Sequence, residues 1–406
     1  MMKTKLNQKF KQGGASIFLV VVSCMFVAII VASFVRLMIR DQQQASQQDI
    51  SQSAYDSAQA GVEDAKRFMN VWLSECQSGQ SVLSDRCSAM SQALQAAALD
   101  TNGGSCNILN SAGVGSASGE TMIRSSSSSA DTKLDQAYTC VKLQMDTEDY
   151  LGELSKDGSA TIRLKPVATA KYIRISWHTS KDTSSESVPL DNFGIATNIA
   201  LPTSWTTNKP AVVTAQLAGI NFASAHSGDS LDNPITNGTG SGKITLFPSS
   251  SSTAYNSDSR PLGFQVAAGA DAVRRDASTS QKVYPTSCKA SLSAGGYACS
   301  VLLSVPDINP GDSQYTILRL NSLYTSTNYK VEMLDASRQV VKFNGIQPKV
   351  DSTGRANDRF RRVESRIEAV DNQFPVPDFA VSQGDSGNKL CKDFWVTNLS
   401  SGFSCE

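Results

Sequence analysis

The chain has 406 residues, of which 37 are Lys or Arg and 37 are Asp or Glu, so its formal net charge is zero. A neutral, charge-poor chain is a poor candidate for nucleic-acid binding, which requires a clustered basic face, so no nucleic-acid partner is expected. The apolar content of 40% excludes wholesale disorder, and the length allows two or three domains. With only two histidines, His178 and His226, the sequence offers little for histidine-based catalysis or metal binding.

The N-terminal region contains a candidate membrane span. Residues 1–14 are polar and include four lysines, whereas residues 15–37 are apolar apart from Arg36. A bilayer span takes about 20 such residues, and the apolar core of a cleavable secretory signal has roughly 7–15. We therefore predict a retained transmembrane helix over residues 15–39. Four lysines precede the apolar run, and two basic residues, Arg36 and Arg40, lie at its other end. This excess of positive charge on the N-terminal side favours a cytoplasmic N-terminus and an exported C-terminal part.

An apolar stripe continues beyond the membrane span, with three- and four-residue steps that are typical of an amphipathic helix. Its members are Ile50, Ala54, Ala58, Val62, Ala65, Met69 and Trp72. One helix from Ala15 to Trp72 would be about 87 Å long at roughly 1.5 Å per residue. Its first half suits lipid and its second half suits a protein groove. From periodicity alone, a membrane anchor with a helical stalk explains both halves equally well.

The basic leader, the Gly-Gly junction before the apolar run and the long two-part helix together resemble a type IV prepilin. The stretch SAYDSAQAGVEDAKR, at residues 53–67, is similar to the A-x-x-A-E-A-G-x-E-x-A signature of PilX-type minor pilins. It is also similar to the large tip pseudopilin of type II secretion. The resemblance covers about residues 8–70. It implies that a prepilin peptidase cuts after Gly14, that Ala15 becomes the N-methylated first residue, and that other pilins bind the N-terminal helix.

Two residues depart from that pattern. Major pilins carry a glutamate at the fifth mature position, which is Leu19 here, and the central glutamate of the signature is replaced by Gln59. The first carboxylate neutralises the terminal amine of a neighbouring subunit in the apolar filament core, where an unpaired charge is costly. A subunit without it suits a minor or tip position in pilus assembly or adhesion. The alternative is an uncleaved single-pass membrane protein with an extracellular binding module.

Eight of the nine cysteines follow the membrane helix, and Cys24 lies within it. An even set on the exported side indicates disulfides, since oxidising conditions let them persist. A zinc site is disfavoured because there is no CxxC pair and no nearby histidine. We expect at least two pairs between sequence neighbours, from the set Cys76–Cys87, Cys106–Cys140, Cys288–Cys299 and Cys391–Cys405.

The predicted fold class is α+β, with the membrane helix extending into a pilin-like helix-plus-antiparallel-sheet domain and a second, sandwich-like β domain following it. The proposed segments are a leader (1–14), a transmembrane helix (15–39), an amphipathic helix with a disulfide-stapled second helix (40–100), a Gly/Ser-rich loop (101–135), a pilin-like β-sheet (136–190), a β-rich domain (191–370) and an irregular, disulfide-closed tail (371–406). The second helix is predicted at Ser88–Asp100.

No constellation of residues indicates an enzyme, a metal site or a cofactor. The GDSG sequence at residues 384–387 matches the nucleophile loop of trypsin-like proteases, but neither histidine lies in the expected motif. His178 follows a predicted strand, where a half-exposed position is expected. Residues 307–312 and 229–233 have calcium-like oxygen spacing without a complete loop, so turn formation explains both.

Four aromatic residues could line a glycan-binding surface, although buried aromatic side chains are commoner. They are Trp177, Trp205, Tyr324 and Tyr329. The apolar run predicts the membrane as a partner, the resemblance to pilins implies a prepilin peptidase and other pilins, and these aromatic residues add a surface or glycan ligand.

Overall fold

A computed structural model describes thirteen parts of the chain. They are residues 13–76, 84–99, 106, 108–113, 120–123, 135–190, 205–206, 208–221, 235, 239–250, 260–261, 283–311 and 314–368. Most of the predicted leader, the GDSG sequence, the 229–233 turn and the predicted Cys391–Cys405 pair lie outside these residues.

Within the described parts, the helices come first and the strands follow. Helix α1 (Gly13–Val71) continues into a π-helical turn (Trp72–Cys76), followed by α2 (Ser84–Leu99) and a 3-10 turn (Ile108–Ala112). The strands are β1 (Thr121–Met122), β2 (Ala137–Gln144), β3 (Tyr150–Leu154), β4 (Ser159–Arg163), β5 (Ala170–Trp177), β6 (Val212–Asn221), β7 (Gly240–Ser249), β8 (Arg260–Pro261), β9 (Val283–Ser287), β10 (Cys299–Ile308), β11 (Gln314–Leu323), β12 (Thr327–Leu334), β13 (Val340–Val341), β14 (Lys349–Ala356) and β15 (Arg359–Arg366).

Helix α1 is continuous because no proline interrupts its 59 residues and good helix formers flank Gly61 on both sides. The ion pairs Lys66–Glu63 and Arg67–Asp64, one helical turn apart, support its last part. Its first part is apolar and exposed, with a mean hydropathy of 3.0 over the most apolar 18-residue window. By length and composition, this helix can cross a membrane.

The second part of α1 packs on an antiparallel sheet whose strand order is β1-β2-β14-β15. Helix α2 and the 3-10 turn close the adjoining side of this unit, where they bury Met90, Leu94, Ile108 and Leu109. We call α1 from Ile50 onward, α2 and this sheet the helix–sheet unit.

Two further sheets face each other and form a sandwich. One has the order β13-β12-β5-β10-β8, with β3 also pairing with β12, and the other has the order β4-β11-β6-β7-β9. Their strand pairs are antiparallel, except for the short parallel pairs β10–β8 and β7–β9. Alternate side chains of both sheets form one core, in which Trp177, Leu217, Leu303 and Leu318 are buried.

The partition of strands differs from the sequence-based one at residue 190. Strands β2, β4 and β5, which we predicted to share one sheet, lie in three different sheets. The helix–sheet unit is completed by β14 and β15, from within the predicted 191–370 domain. Side-chain alternation shows which strand face is buried but not which strands pair. The pairing of β14 with β2, far apart in the chain, could therefore not be predicted from the sequence. The sandwich is therefore an insertion between β2 and β14.

The two connections of the insertion are bonded to each other. Thr147 and Phe343 exchange backbone hydrogen bonds of 3.3 and 2.7 Å. The buried side-chain amide of Gln347 accepts from the Leu151 N–H and donates to its carbonyl, at 2.9 and 2.7 Å, as a neighbouring strand would. Two neighbouring contacts, Arg366 with Asp149 and Tyr150 with Glu368, join the end of β15 to the sandwich.

Three of the four predicted disulfides are present in the described residues. Cys76–Cys87 joins the end of α1 to α2, as expected for the stapled second helix. Cys106–Cys140 fixes part of the Gly/Ser-rich segment to β2. Cys288–Cys299 closes a loop at the start of β10. Cys24 is a free, exposed cysteine in α1.

Candidate functional site

The contact between α1 and the sheet lies directly beneath the PilX-like stretch at residues 53–67. Of the predicted stripe, Ala54, Ala58, Val62, Ala65 and Met69 are buried, and Ile50 and Trp72 are half-buried at the two ends. Sequence reasoning missed Ser57 and Phe68, which are also buried here. Both lie three or four residues from stripe members, so a wider stripe would have included them.

Small residues allow α1 to approach the sheet closely. A Cβ atom added to Gly354 would overlap backbone atoms of Ala54 and Ala58, and one added to Gly61 would overlap the Ser352 hydroxyl. The alanines and the glycine of the PilX-like stretch therefore have a structural use within this one chain, because larger side chains would separate helix from sheet.

A partly buried polar contact marks one flank of the same interface. The Tyr138 hydroxyl donates a 2.8 Å hydrogen bond to the Asp64 carboxylate across 74 residues of sequence. Burial raises the pKa of Tyr138 to about 12, and Asp64 adds to that rise. The phenol therefore stays protonated and keeps donating at physiological pH.

The residues that distinguish this chain from the signature lie elsewhere. Gln59 is exposed and donates a 3.1 Å hydrogen bond to the Tyr55 hydroxyl, so a carboxylate there is not needed for the sheet contact. Leu19 is exposed on the apolar part of α1, and Gly14 and Ala15 lie in its first turn. The helix thus separates the predicted cleavage position from the sheet contact by more than thirty residues, Ala15 to Ile50.

The four aromatic residues considered for glycan binding do not form one surface. Trp177 and Tyr329 are core residues, and the Trp177 indole donates a 3.0 Å hydrogen bond to the Ala211 carbonyl. Trp205 and Tyr324 are half-buried, with ring centroids 4.8 Å apart. The Lys209 ammonium lies 4.2 Å from the Trp205 ring centroid, so other side chains already contact this ring.

His178 is not half-exposed as predicted: its exposed fraction is 1%. Its backbone N–H donates to Asn328 and its carbonyl accepts from Ala298, which holds it in the left-handed region, at φ 66°. Neither ring nitrogen has a hydrogen-bond partner. Burial lowers the pKa of His178, although the Asp182 carboxylate opposes that shift. The alternating pattern predicts a strand end at this position, whereas the structure places His178 in a turn beyond β5, bonded to Asn328 of β12 and to Ala298 directly before β10.

The predicted oxygen-rich turn holds ordinary polar contacts. Asp307 pairs with Lys171 at 3.4 Å, and Asn309 accepts a 3.0 Å hydrogen bond from Thr169. Across the described parts of the chain, no three His, Cys, Asp or Glu residues form a group that could hold a metal ion. Comparisons with protein-family models, curated proteins and solved structures find no match for this chain.

Proposed function

We propose that this protein is a PilX-type minor pilin or tip pseudopilin of a type IV pilus-like filament. The supporting observation is the division of α1 into an exposed apolar part and a part packed on an antiparallel sheet. A pilin needs both parts: the first exchanges lipid for neighbouring helices, and the second carries a globular unit. The leader and the PilX-like stretch lie at the positions that this arrangement requires.

The place of the inserted sandwich also fits a display role. Gly354, near the end of β14, lies against Ala54 and Ala58, whereas Ser352, nearer its start, lies against Gly61. The start of β14 is therefore farther than its end from the apolar part of α1. The connections to the sandwich leave from Gln144 and Lys349, at that distant end of the sheet. In a membrane or a filament, the sandwich would be held outward, where it could prime assembly or contact a surface.

The second candidate is an uncleaved single-pass membrane protein whose sandwich binds a ligand outside the cell. Leu19 is compatible with this candidate as well as with a minor or tip pilin, because an anchor that never stacks in a filament needs no carboxylate at that position. No catalytic role is assigned to any residue under either proposal.

Leader processing separates the two candidates. We expect the mature membrane-bound protein to begin at Ala15 with a methylated amine, as read by mass spectrometry of its N-terminal peptide. Gly14→Leu should leave the leader attached and exclude the protein from filaments. The matched glycine control is Gly295→Asn, in an exposed turn of the sandwich where an added Cβ meets no atom within 4 Å and where asparagine tolerates the left-handed backbone. A mature wild-type chain that begins at Met1 or Met2 would reject the pilin proposal in favour of the plain anchor.

A further inference from the structure

Strand β15 forms one edge of the sheet in the helix–sheet unit. All eight of its residues pair in register with β14, without a bulge, and no other described strand pairs with it. The sequence of β15, RFRRVESR, contains no proline. A regular edge of this length presents a second row of backbone N–H and C=O groups that can pair with another extended chain.

The charge of this edge is strongly one-sided. Four of the eight residues are arginine and one is glutamate. Arg362 pairs with Asp351, Arg366 with Asp149, and Glu364 with Lys349. Arg359 and Arg361 form no ion pair with any residue that the structure describes, and Arg361 donates to the Ser51 hydroxyl of α1. Within the described part of the chain, two exposed cations at the turn end of β15 are therefore without an ion-pair partner.

The two faces of the edge differ in chemistry. Arg359 and Arg361 are two residues apart, so both lie on the face that carries α1. Phe360 lies on the opposite face and is 58% exposed, and the charged residues that follow it on that face, Arg362, Glu364 and Arg366, are already ion-paired within the protein. A strand added beside this end would meet cations on one face and an aromatic ring on the other. An extended segment that alternates acidic and apolar residues would complement both faces.

A second copy of the same edge is a poor occupant. Two β15 strands placed side by side would bring two arginine-rich strands together, and like charges on neighbouring strands are destabilising. Edge charges also protect natural sheets from aggregation, so protection alone is the simpler use of these arginines. That use, however, predicts no affinity for a complementary strand.

We propose that β15 is a docking edge for an extended acidic segment of a partner protein, which adds as a further strand and pairs its carboxylates with Arg359 and Arg361. The partner supplies backbone hydrogen bonds along the edge and places apolar side chains over Phe360. This assignment does not depend on the pilin proposal, since an uncleaved membrane protein would present the same edge.

The test uses a fluorescein-labelled ten-residue peptide of alternating glutamate and valine, with the full-length protein in zwitterionic detergent at low salt. Fluorescence anisotropy should give saturable binding, and hydrogen–deuterium exchange should slow in residues 359–366. R359Q combined with R361Q should weaken binding about two- to thirtyfold, the range for two exposed ion pairs. The matched variant R338Q, at an exposed arginine in the sandwich, should bind as the wild type does.

A peptide with the same charges but with an N-methyl group at every residue, which removes the N–H donors of both strand edges, distinguishes strand addition from simple charge attraction. It cannot donate the backbone hydrogen bonds, so it should not bind. Equal binding of this peptide, slowed exchange outside β15, or no binding of the parent peptide at low salt would each overturn the proposal. This comparison uses the wild-type protein, so it holds even where the double arginine variant fails to fold.

Discussion

Gly354 offers the sharpest test of the contact between α1 and the sheet. In Gly354→Ala, the new methyl group would overlap the Ala54 carbonyl oxygen and the Ala58 nitrogen, and neither backbone atom can rotate away. The helix must then move off the sheet by about 1 Å, which forfeits roughly a quarter to a half of the dispersion energy at each contact. Overpacking of a well-packed interior typically costs about 1–3 kcal/mol. Since only rigid backbone faces the methyl group, we expect a loss at the upper end, about 3 kcal/mol.

The measurement is urea unfolding of the full-length protein in detergent, followed by near-UV circular dichroism. Thr353→Val on the same strand is the control, because its side chain points away from the helix and should change the unfolding free energy by less than about 0.5 kcal/mol. A Gly354→Ala variant as stable as this control would show that the helix and sheet are not in close contact. It would also remove the structural explanation for the small residues of the PilX-like stretch.

Two further results are expected. For His178, the folded pKa lies below the unfolded value of about 6.5, so its contribution to stability is complete above that pH and is lost as pH falls towards the folded pKa. His178→Leu should therefore flatten the decline of the urea midpoint between about pH 7 and about pH 5. The control is His226→Leu, which should keep the wild-type slope. An unchanged slope in His178→Leu would contradict the lowered pKa of His178. Replacing Cys106 and Cys140 together by serine should cost about 4 kcal/mol, since their disulfide closes a loop of 34 residues; a thermal midpoint within about 2 °C of the wild type would contradict that estimate.

The sequence was most informative where a periodic pattern extended over many residues. The stripe from Ile50 to Trp72 predicted the buried face of α1, because a helix repeats its environment every three to four residues. Pairing of sequence neighbours was correct for three disulfides, since each closes a local loop. In both cases the deciding partners lie close together along the chain.

Strand β14 shows why the rest could not be predicted. Its sequence, KVDSTGRA, is rich in polar and small residues and is a weak strand by propensity, although it is the strand that contacts α1 most. Its Ser352 and Gly354 are small because a helix lies directly above them, and that reason exists only after residues about 300 positions apart have met. The burial of His178 has the same kind of cause, because its backbone partners Ala298 and Asn328 lie far from it along the chain.

The order of the chain has a consequence for assembly in the membrane. The apolar part of α1 is synthesised first and can enter a bilayer at once, whereas β14 and β15 are made only after the whole sandwich. Until then the stripe of α1 has β2 but not its main partner strand, so Ala54 and Ala58 stay uncovered. The insertion, by contrast, has its own core and bonds its two connections to each other through Thr147 and Phe343. Folding of the sandwich thus brings Lys349 beside Gln144, which reduces the entropy lost when β14 pairs with β2 and the helix–sheet unit closes.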